Sequence, residues 1–215
     1  MLTISPKTQK FLLKEYRKKH RHYHNYAHIC HVLDTIHDHK DKFSDLQAAE
    51  LAANFHDIVY EVGDRYDQNE AQSCVTFLAC IEEDNPDLKY DRNDPDFRTT
   101  ELALLMIGCT HGHTLDRIKS PDSLTPAQIE DIKMFLDADI KILAENEDKV
   151  LRFEDDIRKE FSIYDDEVYC QGRIRVLQSF LNRRQLYLSE IGRPWEQKAR
   201  NNLQFLIDRL KYKKS

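Results

Sequence analysis

Apolar residues recur along the chain with a helical period, and no Val/Ile/Thr-rich stretch alternates with polar residues as a half-buried strand would. Ser5-Pro6 pairs a capping residue with proline at the first helical position and predicts a helix through about Lys19. Ile29, Val32, Leu33 and Ile36 fall at i, i+3, i+4 and i+7, one face of a second helix. Asp45 can cap a third, in which Leu46, Ala49, Ala53 and Phe55 lead into His56-Asp57. Residues 69–81 read as a fourth, with Val75, Leu78 and Ile81 expected inside, followed by a turn-rich segment over 84–96. Thr100 to Cys109 is a short apolar helix stopping near Gly108 and Gly112. Thr125-Pro126-Ala127-Gln128 has the form of a capping box and opens a helix through Leu143. Further helices are expected over 147–160, 166–188 and 195–211. The fold class is therefore all-α.

Composition narrows the function classes. The chain has 215 residues, 40% of them hydrophobic, enough for a core without disulfide staples. Five cysteines make an odd count with no CxxC pair, which argues against a disulfide framework or a thiolate zinc site and fits a reducing, cytoplasmic setting. The apolar run Leu102–Ile107 is far short of a membrane span, and the opening MLTISPKTQK lacks the basic-then-apolar layout of a secretory signal. A net charge of −6 removes the footprint of a general nucleic-acid binder.

The histidines are distributed unevenly. Seven of the ten lie between His20 and His39, and the others are His56, His111 and His113. His24 and His28 are four apart and share a helix face, with His31 near the same stripe. His56-Asp57 closes an apolar helix, and Asp137-Ala138-Asp139 interrupts the apolar stretch Met134–Leu143. Unpaired buried carboxylates are costly, and a divalent cation is one way to keep them. Two imidazoles and two carboxylates would make a mixed N/O site suited to Mn, Fe, Zn, Mg, Co or Ni. Successive alternate residues on a helix point about 200° apart, so Asp137 and Asp139 cannot both face one ion easily.

The order H…HD…D resembles the HD-domain superfamily of metal-dependent phosphohydrolases, specifically its bacterial "predicted metal-dependent HD superfamily phosphohydrolase" family. Tyr23-His24-Asn25-Tyr26-Ala27-His28 is similar to YHNxxH, His56-Asp57-Ile58-Val59-Tyr60 to HDxxY, and Gln68-Asn69-Glu70-Ala71-Gln72-Ser73 to DNExxS. Cys109-Thr110-His111-Gly112-His113 resembles ATxxH, and Leu136-Asp137-Ala138-Asp139-Ile140 resembles LDADL. Ile157–Phe161, Gly172-Arg173 with Phe180-Leu181, and Ala199–Leu203 extend the similarity through the tail. Gln68 and Cys109 depart from the pattern at positions that are not ligands.

The resemblance implies an HD-type helical bundle, with a metal-binding core over about 20–145 and a helical extension over about 146–215. It assigns His28, His56, Asp57 and Asp139 to the metal, with Asp137 as the fallback for Asp139. His24 is expected as the general acid for the leaving group, with His113 and Glu61 as further catalytic candidates. Arg21, Asn25, Tyr60 and Glu70 are expected around the substrate, and Arg158 and Arg173 are further candidates for phosphate contact. Asn25 is equally a helix cap. The expected activity is cleavage of a small phosphate ester, a nucleotide first among them, by metal-activated water. A di-iron oxygenase and a non-catalytic metal- or nucleotide-binding module are the alternatives. No membrane partner is expected, and the helices over 164–188 and 195–210 offer a face for a homodimer.

Overall fold

The structure, a computed structural model, describes residues 1–63, 66–118 and 123–213. These form nine α-helices joined by turns and short 3-10 segments, with no strand among the described residues, so the all-α class is confirmed. In chain order the helices are α1 (Pro6–Tyr16), α2 (Tyr26–Asp38), α3 (Leu46–Phe55), α4 (Asn69–Asp84), α5 (Pro95–Cys109), α6 (Pro126–Asp139), α7 (Glu147–Glu160), α8 (Asp166–Leu181) and α9 (Glu196–Lys213). No described helix is long and apolar enough to cross a membrane.

Helix starts follow the caps legible in the sequence. Ser5 Oγ accepts from the Thr8 amide, Asp45 from Ala48, and Thr125 and Gln128 complete a reciprocal capping box. Five expectations shift, one of them the helix opened by Thr125, which ends at Asp139 and not Leu143 because a 3-10 segment follows over Ile140–Ala144. The first helix ends at Tyr16, not Lys19. Asp94 caps a helix that starts at Pro95, inside the expected loop, because its carboxylate accepts from the Asp96 and Phe97 amides. The helix expected over 166–188 stops at Leu181, and its would-be last turn becomes an irregular segment pinned by acids of other helices. Finally, Val75 is exposed and Leu78 only half-buried, while Ser73 and Phe77 join the expected Ile81 inside. That stripe is rotated from the expected one, because the i, i+4 spacing through Phe77 places the largest ring inward.

Buried side chains gather into two clusters. The first unites α1 to α6, with Val32, Ile36, Phe55, Phe77, Met106 and Phe135 at its centre. Ala48, Ala49, Ala52 and Ala53 of α3 are fully buried there, and their small volume lets α3 lie close against α5. The second unites α7, α8 and α9 with the 3-10 segment Ile140–Ala144, around Val150, Leu177, Ala199, Leu203 and Leu206. The end of α6 crosses from one to the other: Ala138 packs in the first cluster, Ile140 in the second. Asp137 and Asp139 therefore lie on the seam, and a cavity of about 590 Å³ opens along it.

Candidate metal centre

Three helix ends bring the polar centre together. His28 lies in the first turns of α2, His56 is the residue following α3, and Asp139 is the last residue of α6. Each backbone is anchored: the His56 amide still donates to Ala52, and α3 is held to α6 because Asp131 accepts from the Ser44 and Asp45 amides. His28 Nε2 is 3.1 Å from His56 Nε2 and 3.1 Å from Asp139 Oδ1. His56 Nε2 is 3.3 Å from the same Asp139 oxygen and 3.0 Å from Asp57 Oδ2, which is itself 3.5 Å from His28 Nε2.

These separations fit a shared cation. Ligand atoms held at about 2.1 Å from one ion lie roughly 3.0–3.4 Å apart at octahedral or tetrahedral angles. His28, His56 and Asp139 form a buried group that can hold a metal ion, and Asp57 Oδ2 faces the same point. The tautomer of His56 suits the role. Its Nδ1 lies 3.0 Å from the Ala53 carbonyl, which fixes a proton there and leaves the Nε2 lone pair inward. His28 is held by rings instead, with Tyr23 at 4.9 Å.

The electrostatics carry the same signature. Burial alone would push both imidazoles toward neutrality, yet Asp139 and Asp57 outweigh it, raising His28 and lifting His56 well above the ordinary histidine value. Burial would likewise raise the two carboxyls, but His56 above all holds Asp57 and Asp139 well below the usual range. The two carboxylates are thus balanced by protons on these imidazoles, and a cation bound at the same point would displace those protons.

Beyond this centre the expected residues divide. His24 lines the cavity with its ring stacked on Tyr60 at 4.0 Å. Its Nδ1 contacts Glu160 Oε2 at 2.7 Å, while Glu160 Oε1 accepts from the Tyr23 and His24 amides at 2.7 and 2.9 Å. Glu160, on the last turn of α7, is a site residue that sequence reasoning overlooked. The available signal was a glutamate continuing the buried stripe Val150, Phe153, Ile157. His113 Nε2 reaches the outer oxygen of Asp139 at 2.8 Å. It does so from a left-handed turn, φ +49° at His113 and +78° at Gly112, a conformation that a non-glycine residue adopts at some cost. Arg183, also overlooked, holds that turn by donating to the carbonyls of Gly112 (2.7 Å) and His113 (3.0 Å). Tyr60 and Glu70 line the cavity, and Glu70 meets His111 Nδ1 at 3.2 Å.

Three other expectations, those for Arg21, Glu61 and Arg158, are corrected, and of the two readings of Asn25 the structure shows the cap. Arg21 is buried away from the cavity wall, where it donates to the carbonyls of Asp57 (2.6 Å) and Ile58 (2.8 Å) and to that of His24 (3.1 Å). Its two terminal nitrogens are consumed in holding the two histidine-bearing segments together, and the remaining Nε is buried without a partner among the described residues, outside the cavity lining. Asn25 caps α2 by accepting from the Ala27 amide at 2.8 Å. Glu61 exposes its side chain, and only its backbone is engaged, in a reciprocal pair with the Asn69 amide group. Arg158 is likewise spent on Asp166 and the carbonyls of Phe161 and Tyr164. Asp137 turns away from the centre: it accepts from the Leu188 and Ser189 amides at 2.7 and 2.8 Å and from the Ser189 hydroxyl at 2.5 Å. Burial nevertheless pushes its carboxyl up to about 6. A Cβ on Gly192 would come within 2.5 Å of that carboxylate, so glycine is required where the 182–192 segment passes it.

Comparison of the chain with protein-family models, with curated proteins and with solved structures finds no match in any of the three.

Proposed function

We propose that the chain is a metal-dependent phosphohydrolase that cleaves a small phosphate ester of the nucleotide type. The observation carrying this reading is the convergence of His28, His56, Asp57 and Asp139 at one end of a cavity about 590 Å³ in volume, with His24 on the same wall. A divalent cation at this point would supply Lewis acidity to a phosphoryl oxygen and a water made nucleophilic near neutral pH. The chain's own residues do the rest. His56 and His28 offer Nε2 lone pairs, and Asp57 and Asp139 offer oxygens. His113 donates to Asp139 and keeps that carboxylate turned toward His28. Glu160 holds the proton on His24 Nδ1, which leaves the protonated ring free to deliver a proton from Nε2 to the departing alkoxide. Tyr60, stacked on that ring, limits its rotation and excludes water from one face.

The test is phosphate release by the purified full chain, stripped with chelator and reloaded with Mn, Fe, Zn, Mg, Co or Ni, over a panel of nucleotides and simple phosphate esters. Release should require one of these ions and vanish in His56→Ala and Asp57→Ala while the helical circular dichroism persists. Undiminished release in those variants overturns the reading. So does failure of every ester with every ion. A two-iron centre for oxygen chemistry is favoured by one observation, the approach of His113 to the second oxygen of Asp139. Metal counting separates them: two irons per chain with an oxygen-dependent product support it, and one ion with phosphate release does not.

A further inference from the structure

The cavity wall contributed by α7 and α8 carries two features that hydrolysis at the histidine centre leaves unused. The first is Arg173. Its Nε donates to Glu154 Oε2 at 2.9 Å, and the other oxygen of Glu154 accepts from the Tyr169 hydroxyl at 2.6 Å. Glu154 is thereby engaged at both oxygens, yet Nη2 of the same guanidinium is buried with no hydrogen-bond partner among the described residues. Buried donors are nearly always paired, so an orphan on a cavity wall calls for an acceptor from outside the chain. The Arg173 side chain is only 13% exposed and lines the cavity.

The second feature is its neighbour, Gly172. Glycine in the interior of a helix weakens it, and here no crowding demands one: a Cβ at Gly172 would meet nothing within 4 Å. Since Gly172 also lines the cavity, the missing side chain leaves a recess beside the arginine. A ladder of rings connects this place to the metal centre. Tyr23 lies 4.9 Å from His28 and 4.5 Å from Phe153, and the Arg173 guanidinium sits 5.2 Å from the Phe153 ring. Phe161 and Tyr66, whose rings are 5.6 Å apart, face the same space.

We infer that Gly172 and Arg173 form a second anion subsite. The substrate is then a phosphate ester with an apolar or aromatic body, which lies along the recess, and a second oxyanion, carboxylate or phosphate, which Arg173 binds through Nη2. A guanidinium suits this because its fork can serve two acceptors at once, one internal and one brought by the ligand. The proposal rests on the phosphohydrolase reading for the group that is cleaved, but the subsite itself needs no metal.

That independence sets the experiment. Chelator-treated full chain is titrated calorimetrically with benzoate and, separately, with phenylphosphonate, each an aromatic body bearing one oxyanion of a different kind. At least one should saturate the wild-type chain, and the tighter of the two names the second group. Arg173→Lys keeps a cation for Glu154 but lacks the second fork nitrogen, and Gly172→Val fills the recess while leaving the arginine in place. Each should weaken the better probe at least about ten-fold, the loss expected for a hydrogen bond to a charged group. His56→Ala should bind the probe as the wild type does while losing metal-dependent hydrolysis, so the two readings fail separately. Unchanged affinity in both Arg173→Lys and Gly172→Val, or no saturation of the wild type by either probe, overturns the subsite.

Discussion

The two walls of the cavity are built on different principles. The wall from α2, α3 and the end of α6 is a knot of titratable groups, where His28, His56, Asp57 and Asp139 meet within about one hydrogen-bond length. The wall from α7 and α8 is mostly rings and aliphatic side chains, among them Phe153, Ile157, Phe161, Tyr169 and Phe180. The first concentrates charge at one point, and every position is constrained by several partners. The second offers mainly apolar surface, from which Glu160 and Arg173 project. Chemistry concentrated on one side and fit distributed on the other is the arrangement expected when one site must react with a group and recognise the remainder.

That contrast can be broken experimentally. The largest effect should come from the charged wall. His56→Ala removes an inward lone pair and should cut metal-dependent turnover by more than the roughly ten- to hundred-fold typical of losing a residue that merely orients a ligand. Added divalent ion should raise the melting temperature of the wild type through preferential binding to the folded chain, and this rise should be absent in His56→Ala. An equal rise in the variant would place the ion elsewhere.

Among the described residues, Glu160 is the acid through which the aromatic wall reaches the segment bearing His24. Glu160→Gln should lower kcat by about ten- to hundred-fold, part of what general acid catalysis contributes, with KM changing less. The pH profile distinguishes positioning from simple damage. Loss of the negative partner should change the shape of that profile, and a profile of unchanged shape would show that Glu160 serves only the fold.

The same residue predicts an acid sensitivity. Burial would raise the Glu160 carboxyl, but the hydrogen bond to His24 prevails and its folded pKa is lowered. A lowered folded pKa means that the ionised group stabilises the protein fully above the unfolded value of about 4.3 and progressively less as pH falls through the folded value. Urea midpoints of the wild type should therefore fall on acidification in this range, and Glu160→Gln should flatten part of that slope. The smallest effect belongs to the aromatic wall. Gly172→Ala should stabilise the chain by about 0.5–1 kcal/mol, since helix propensity improves and the new methyl meets nothing within 4 Å. Destabilisation in thermal melts would mean that the recess is less open than it appears in the contact geometry.

Much of this molecule is legible from local sequence, and the reasons are physical. Ser5-Pro6, Asp45 and Thr125-Pro126-Ala127-Gln128 set helix starts because a cap satisfies amides only two or three residues away. The buried face of α2 follows from its spacing, and the four residues expected at the metal do meet, each presented near a helix end. What escaped reading depends on partners distant in the chain. Arg21 resembles a phosphate contact until Asp57 and Ile58 take its hydrogen bonds. Glu160 gains its role only because α7 packs against the loop bearing His24, more than a hundred residues earlier. The end of α8 at Leu181 is decided by Glu196 and Asp137, which draw the amides of 186–189 out of helical pairing.

The two aspartates at the seam draw the boundary most sharply. Helical geometry requires Asp137 and Asp139 to point in different directions, and this is contained in their spacing alone. Which of them meets the histidines depends on the environment each direction enters. One faces backbone amides of the 182–192 segment, and the other faces imidazoles carried by α2 and the residue after α3. Caps and periodicity act over a few residues and are written locally. A buried charge is stabilised by whatever the folded chain brings within about 3 Å of it, and only packing of the two cores supplies that neighbour.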